Sequence, residues 1–131
     1  IKRMVNVGSA GKILNPKTAY GQIIGGLTMG AGMVIAERTQ VEPNYGNFIT
    51  RTLADYHVPV NLDLANIDVI FLPEEDKIAN EMGIKGIGEL GITSVAASIA
   101  NAIFNATGKR MRDLPITPEK LIEAGLEPGV A

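Results

Sequence analysis

Glu89 stands directly after the run Lys85-Gly86-Ile87-Gly88, and a stretch with helical periodicity, 90–106, is read as starting there. Upstream, Gly11-Lys12 leads into Asn15-Pro16. Asn is a favoured N-cap and Pro a favoured first helical residue, so a second helix is expected from that point. Helix N-termini carry unsatisfied N–H groups and a partial positive charge, and glycines let a ligand approach the backbone. Each place is therefore a candidate site for an anion such as a phosphate, with Lys12 beside one and Lys85 beside the other. Neither is a P-loop, because no Gly-Lys-Ser/Thr follows, and Gly86-Ile87-Gly88 lacks the third glycine of a dinucleotide fingerprint. A carboxylate at a helix mouth is stabilised in its ionised form, whereas burial opposes ionisation. Glu89 is thus a candidate general base on one reading and a helix cap on the other.

The elements that must position these residues follow from periodicity and punctuation. Residues 1–7 read as a strand, and 8–12 as a turn. The helix beginning at Asn15-Pro16 is expected to run to about Arg38. A short strand at 39–41, a loop at 42–47 and a strand at 48–50 follow. Residues 67–72 give the clearest strand, succeeded by a solvated acidic loop, Pro73-Glu74-Glu75-Asp76-Lys77. In the 90–106 helix, Ile92, Val95, Ala96, Ile99 and Ile103 form an apolar face, while Ser94, Ser98, Asn101 and Asn105 form an uncharged polar stripe. Gly108 suits the position just past its end. A short last helix takes Thr117 as N-cap and Pro118 as first residue and stops at Gly125; residues 126–131 read as a tail. The fold class is α+β, a mixed sheet with two long buried helices and a short C-terminal helix.

The first long helix is unusual. Residues 18–36 carry no charge and include Gly21, Gly25, Gly26, Gly30 and Gly32. Each interior glycine costs about 0.5–1 kcal/mol relative to alanine. Small residues spaced by four allow another backbone to come close. A membrane-spanning pair motif would use them so, but Tyr20 and Gln22 interrupt the stretch, and burial inside a larger protein is the favoured reading. Because neither long helix has a charged, water-facing side, neighbours beyond this chain are expected.

Composition narrows the chemistry. The chain has 131 residues, 12 Lys+Arg and 14 Asp+Glu, a formal charge of −2 that supplies no basic field for nucleic acid. With no cysteine, it holds no disulfide, thiolate zinc site or iron–sulfur cluster of its own. His57 is the single histidine, too few for a two-histidine metal site. It reads as a structural hydrogen-bonding residue. Lys109, Arg110 and Arg112 read as complements to a helix C-terminus, with a partner-subunit contact as the alternative. Met29, Met33 and Met82 read as packing residues. The chain starts at Ile1 without an export signal and is expected to be part of something longer; the cytoplasm is favoured over the periplasm.

Taken in order, several strings resemble one family. They are Lys85-Gly86-Ile87-Gly88-Glu89, Val95-Ala96-Ala97-Ser98-Ile99-Ala100-Asn101-Ala102, Ala106-Thr107-Gly108-Lys109-Arg110 and Leu114-Pro115-Ile116-Thr117-Pro118-Glu119-Lys120. Upstream, Gly11, Asn15-Pro16 and Gly21-Gln22-Ile23-Ile24-Gly25-Gly26 fit, as does Leu53-Ala54-Asp55-Tyr56-His57-Val58-Pro59. Together they resemble the C-terminal part of the molybdopterin-binding large subunit of the xanthine dehydrogenase/aldehyde oxidase family. Glu89-Leu90-Gly91, in place of a Glu-Pro pair, is similar to the bacterial aldehyde oxidoreductase branch. One departure is Val7-Gly8-Ser9-Ala10-Gly11, which lacks the acid that the family often has before the first-loop glycine.

The resemblance implies that residues 1–131 form a C-terminal fragment of a molybdenum cofactor-binding domain. It implies a molybdopterin cofactor in its cytosine dinucleotide form, carrying Mo. Glu89 would act as the base on the metal-bound hydroxyl while hydride passes to a sulfido ligand. Lys12, Ile13, Leu14, Asn15, Pro16, Lys17, Thr18, Gln22, Lys85, Gly86, Ile87 and Gly88 would line the cofactor. Electrons would leave through [2Fe–2S] clusters to FAD, on an iron–sulfur subunit and an FAD subunit. The substrate would be a small aldehyde or N-heterocycle, oxidised with oxygen from water, and the isolated fragment would be inactive. A non-catalytic interaction module packing on a partner subunit is the rival from another class, and a small phosphate-ligand binder is a third.

Overall fold

The first strand of the computed structural model, β1, runs Met4–Gly8 and pairs in parallel with β2, Ile67–Phe71, from Met4 opposite Ile67 to Gly8 opposite Phe71. The structure describes residues 1–125, so the tail expected at 126–131 lies outside the described residues. Between the two strands come α1, Pro16–Ile35, and a small antiparallel hairpin of β3, Val41–Glu42, and β4, Asn47–Phe48. After β2 come α2, Val95–Thr107, and α3, Pro118–Glu123. The parallel and antiparallel pairings of a mixed sheet are both present, as two separate two-stranded sheets. The α+β class stands.

Helix α1 starts where Asn15-Pro16 directs it. The Thr18 N–H donates to Asn15 Oδ1 at 3.3 Å, satisfying one orphan donor of the first turn, and Thr18 Oγ1 donates to the Asn15 carbonyl at 3.2 Å. The helix ends at Ile35, short of Arg38. Helix α2 begins at Val95 and not at Leu90, because residues 88–94 form a run of turns. Glycine explains this. An added Cβ on Gly91 would lie 2.8 Å from the Ile23 carbonyl oxygen, and one on Gly26 would lie 3.0–3.1 Å from the backbone of Gly91 and Ile92. The turn segment presses directly on the α1 backbone, in a contact that a regular helix bearing side chains does not reach. Helix α3 has the expected Thr117 N-cap and Pro118 start, without a side-chain cap hydrogen bond.

The chain divides into two units. The first comprises Ile1–Met29 and Val60–Ser94, with Ala10, Ala19, Ile23, Leu27, Leu64 and Val69 as its buried apolar residues. The second comprises Gly30–Pro59 and the described residues from Val95 onward, with Ala31, Val34, Val95, Ile99 and Ile116 buried. In this second unit Val95 fills the space beside Gly30, where an added Cβ would approach it to 2.7 Å, and the Ile116 N–H donates to the Val34 carbonyl at 2.6 Å. Tyr56 Oη donates to Glu37 at 2.9 Å, which raises the phenol's pKa above its usual value, with desolvation adding to the effect.

Both long helices bury one face and expose the other. In α1, Ala19, Ile23, Leu27, Ala31 and Val34 face the cores, whereas Tyr20, Ile24, Met29 and Met33 are exposed. In α2, Val95 and Ile99 are buried, Ile103 is half-buried, and Ser98, Asn101 and Asn105 are exposed. Met29, Met33 and Met82 were expected in packing; each is exposed, because no side chain of the described residues covers it. His57 is likewise exposed and makes no side-chain hydrogen bond among the described residues, contrary to the structural role expected. Arg110 turns back onto α2, its guanidinium 3.7 Å from the Phe104 ring centre and donating to Asn101 at 2.7 Å, so it covers a side chain instead of meeting the helix-end carbonyls.

Candidate functional site

Both loops singled out in the sequence leave the carboxyl ends of the parallel strands. One follows Gly8, the end of β1; the other lies in the segment that follows Phe71, the end of β2. Ligands in parallel arrangements bind at that end, where connecting loops diverge and backbone groups remain free. Here the loops are stitched together. Gly11 and Ile84 form an antiparallel bridge, the Lys12 N–H donates to the Gly83 carbonyl at 2.8 Å, and the Lys85 N–H donates to the Ala10 carbonyl at 3.0 Å. Gly11 is required at this crossing. Its φ is +64°, and a Cβ would collide with the Gly83 carbonyl oxygen.

The cleft so formed has a volume of about 450 Å³ and lies within the first unit. Of the residues proposed from sequence, Lys12, Ile13, Leu14, Asn15, Thr18, Gln22, Lys85, Ile87 and Gly88 line it. Pro16, Lys17, Gly86 and Glu89 do not line it, although each adjoins a residue that does. Ala10, Ala19 and Ile84 also line it and were not singled out; no chemical signature marks these small or apolar residues in sequence. Gln22, one and a half turns into α1, donates from Nε2 to the Gly88 carbonyl at 2.6 Å and so ties the helix to the second loop.

Glu89 is exposed and sits among the turns before α2. The expected helix mouth at this position is therefore corrected: the helix dipole begins at Val95, beyond Glu89, and the cap reading loses its helix. The Glu89 carbonyl accepts the Ile92 N–H at 3.3 Å, one of the contacts that shape this turn.

The lysines are not free cations. Lys85 Nζ lies 2.5 Å from Glu74 and 3.3 Å from Asp76, and Lys12 Nζ lies 3.6 Å from Glu75. The hydrogen bond from Lys85 to Glu74 is the main cause that raises the lysine's pKa. Asp76 is held below the ordinary carboxylate range, chiefly by the Ala79 N–H and then by Lys85. The acidic loop read as simply solvated is thus the partner of both lysines.

A large cofactor fits this arrangement on its backbone groups and apolar walls. The N–H groups of Gly86, Ile87 and Gly88 donate to no other described residue, and a Cβ added at Gly86 or Gly88 would meet nothing within 4 Å. Ile13, Leu14, Ala19, Ile84 and Ile87 supply surface for a flat ring system. Among the described residues no cluster of three metal-ligating side chains occurs. Among them, too, no helix is long and apolar enough to cross a membrane.

A family profile described as the molybdopterin cofactor-binding domain matches residues 1–65. The aldehyde oxidoreductase molybdenum-binding subunit of Escherichia coli K12 is 49% identical over 123 residues, 94% of this chain and 17% of that protein. The xanthine dehydrogenase molybdenum-binding subunit of Escherichia coli O157:H7 is 38% identical over 123 residues, 94% of this chain and 16% of that protein. Among solved structures, the aldehyde oxidoreductase of Desulfovibrio desulfuricans matches with a TM-score of 0.81 and 34% identity, covering 94% of this chain and 13% of that one. The chain belongs to the family of molybdenum-binding subunits of aldehyde oxidoreductases and xanthine dehydrogenases, and it spans about one sixth of the length of these curated relatives.

Proposed function

We propose that this chain is the C-terminal part of the cofactor-binding domain of a molybdenum hydroxylase that oxidises an aldehyde or an N-heterocycle. The observation that carries the reading is the convergence of residues 12–15, Thr18, Gln22, Ile84, Lys85, Ile87 and Gly88 on one cleft, with N–H groups on its second loop that meet no acceptor among the described residues. The cofactor is read as molybdopterin in its cytosine dinucleotide form; when bound, it supplies two-electron redox chemistry and an oxygen nucleophile derived from water. Ile13, Leu14, Asn15 and Thr18 line one wall, Gln22 orients the second loop through the Gly88 carbonyl, and the N–H groups of residues 86–88 donate to the ligand. Glu89, one residue past the cleft lining, accepts the substrate-side proton at a carboxylate oxygen. Its exposure in this chain leaves it reachable by a ligand, and the rest of the subunit would exclude water there, which strengthens a fixed carboxylate's action.

The remaining parts of the enzyme complete this picture: the rest of the large subunit, an iron–sulfur subunit carrying [2Fe–2S] clusters and an FAD subunit. Relatives named as the gamma subunit of a 6-hydroxypseudooxynicotine dehydrogenase complex and as the large subunit of nicotine 6-hydroxylase support a multi-subunit assembly. The isolated 131-residue chain would be inactive. The test is Glu89→Gln in the complete enzyme. Turnover is expected to fall by at least about 10²-fold with molybdenum content unchanged, the scale for losing acid–base catalysis. Near-native turnover would remove Glu89 from the base role. A native complex without molybdenum would favour an interaction module instead.

A further inference from the structure

The second cofactor loop is held by a bracket that the proposed chemistry does not use. Asn80 meets Ile84 twice: its Nδ2 donates to the Ile84 carbonyl at 2.6 Å, and the Ile84 N–H donates to its Oδ1 at 3.2 Å. Ile84 is the residue bridged to Gly11. Glu74 and Asp76 grip Lys85, and Asp76 is itself fixed by the N–H groups of Ile78 and Ala79 at 3.1 and 3.0 Å. The Ser9 hydroxyl donates to Glu74, so the same loop reaches the segment leaving β1. We infer that Asn80, Glu74 and Asp76 are positioning residues, which set the two cofactor loops against each other and engage Lys85 as a structural post, not as a contact for the ligand's phosphate.

Lys85 is two-thirds covered and has two carboxylates within 3.3 Å, whereas the N–H groups of residues 86–88 have no partner among the described residues. Anion attraction at the cleft therefore falls to backbone dipoles. The identity of the ligand rests on the proposed function; the bracket itself does not.

The test uses the full molybdenum-binding subunit in its complex. Asn80→Ala is expected to lower molybdenum retained after dialysis by about tenfold and to accelerate amide exchange at Lys12, Ile84 and Lys85 by a similar factor, the scale of one or two lost hydrogen bonds. Asn80→Asp, which keeps the acceptor for the Ile84 N–H, recovers part of the protection at Ile84. Lys85→Met and the pair Glu74→Gln with Asp76→Asn are expected to cost the same and not to add in the triple variant, as parts of one tether do. Native exchange and native molybdenum in Asn80→Ala would overturn the inference. So would a Lys85→Met loss that persists undiminished once the acids are gone, since the lysine would then contact the ligand. If Asn80→Ala does not accumulate, the lysine and acid series decides. Absence of molybdenum from the wild-type complex would defeat the proposed function alone, and amide exchange would still report on the bracket.

Discussion

Adjacent glycines in α1 should respond in opposite directions to the same substitution. At Gly26 an added Cβ lies 3.0 Å from the Ile92 nitrogen and 3.1 Å from the Gly91 Cα and carbonyl carbon. These are backbone atoms and cannot rotate away, so the 88–94 turns must retreat by a few tenths of an ångström to reach ordinary contact. Overpacking of that kind costs about 1–3 kcal/mol, against which alanine returns about 0.5–1 kcal/mol of helix propensity. Gly26→Ala should therefore destabilise by about 1–2 kcal/mol. At Gly25 nothing lies within 4 Å, so within this chain only the propensity gain operates, and Gly25→Ala should stabilise by about 0.5–1 kcal/mol. Urea unfolding followed by far-UV circular dichroism reads both variants against the wild type, and native-state hydrogen exchange locates the change. The reasoning fails if the two variants shift the midpoint equally, or if Gly26→Ala raises it.

Gly11→Ala places a side chain at φ +64° against the Gly83 carbonyl, so it should cost more than the 1–2 kcal/mol or so of left-handed strain alone and should expose the Lys12 amide to exchange. The Asp76 tether depends on pH with a definite sign. Its carboxyl is held below its ordinary value, so the stabilisation is complete above the ordinary carboxylate range and is lost as pH falls through the lowered value. Lys85 is raised, so its share is lost only as pH rises past its already high titration. Protection of the Ile78 and Ala79 amides should accordingly be flat near neutrality and fall in acid, and Asp76→Asn should remove the acid step. Tyr56→Phe should destabilise the protein modestly by removing the hydrogen bond to Glu37, and should delete from an ultraviolet pH titration a phenol that titrates above its ordinary value.

What could be read from the sequence was local. Asn15-Pro16 encodes its own helix start because the cap and the fixed proline φ act within one turn. The strands at 67–72 and 1–7 announced themselves by apolar patterning; the first appears one residue shorter, as Ile67–Phe71, and the second starts later and runs one residue further, as Met4–Gly8. The start of α2 was not legible, since Ile92, Val95 and Ala96 suit helical spacing equally well whether or not residues 88–94 are helical. The Gly26–Gly91 approach that decides the matter joins residues remote in sequence. The same holds for the rim of the cleft. Nothing in Glu74-Glu75-Asp76 indicates that it folds onto Lys12 and Lys85, because ion pairing is a tertiary choice between solvent and a neighbour. Gln22 was legible through the family resemblance, but its bond to Gly88 was not.

The parallel pairing of β1 with β2 has a consequence for biosynthesis. One wall of the cleft emerges from the ribosome long before the other, and the first wall alone offers Asn15, Thr18 and Gln22 with the Gly88 carbonyl and Gly83 carbonyl still untranslated. A nascent subunit that ends before residue 88 presents half a grip. A ligand gripped by both walls finds them together only once the chain has been made as far as Gly88, so a filled cleft reports in one place that two sequence-distant loops have closed.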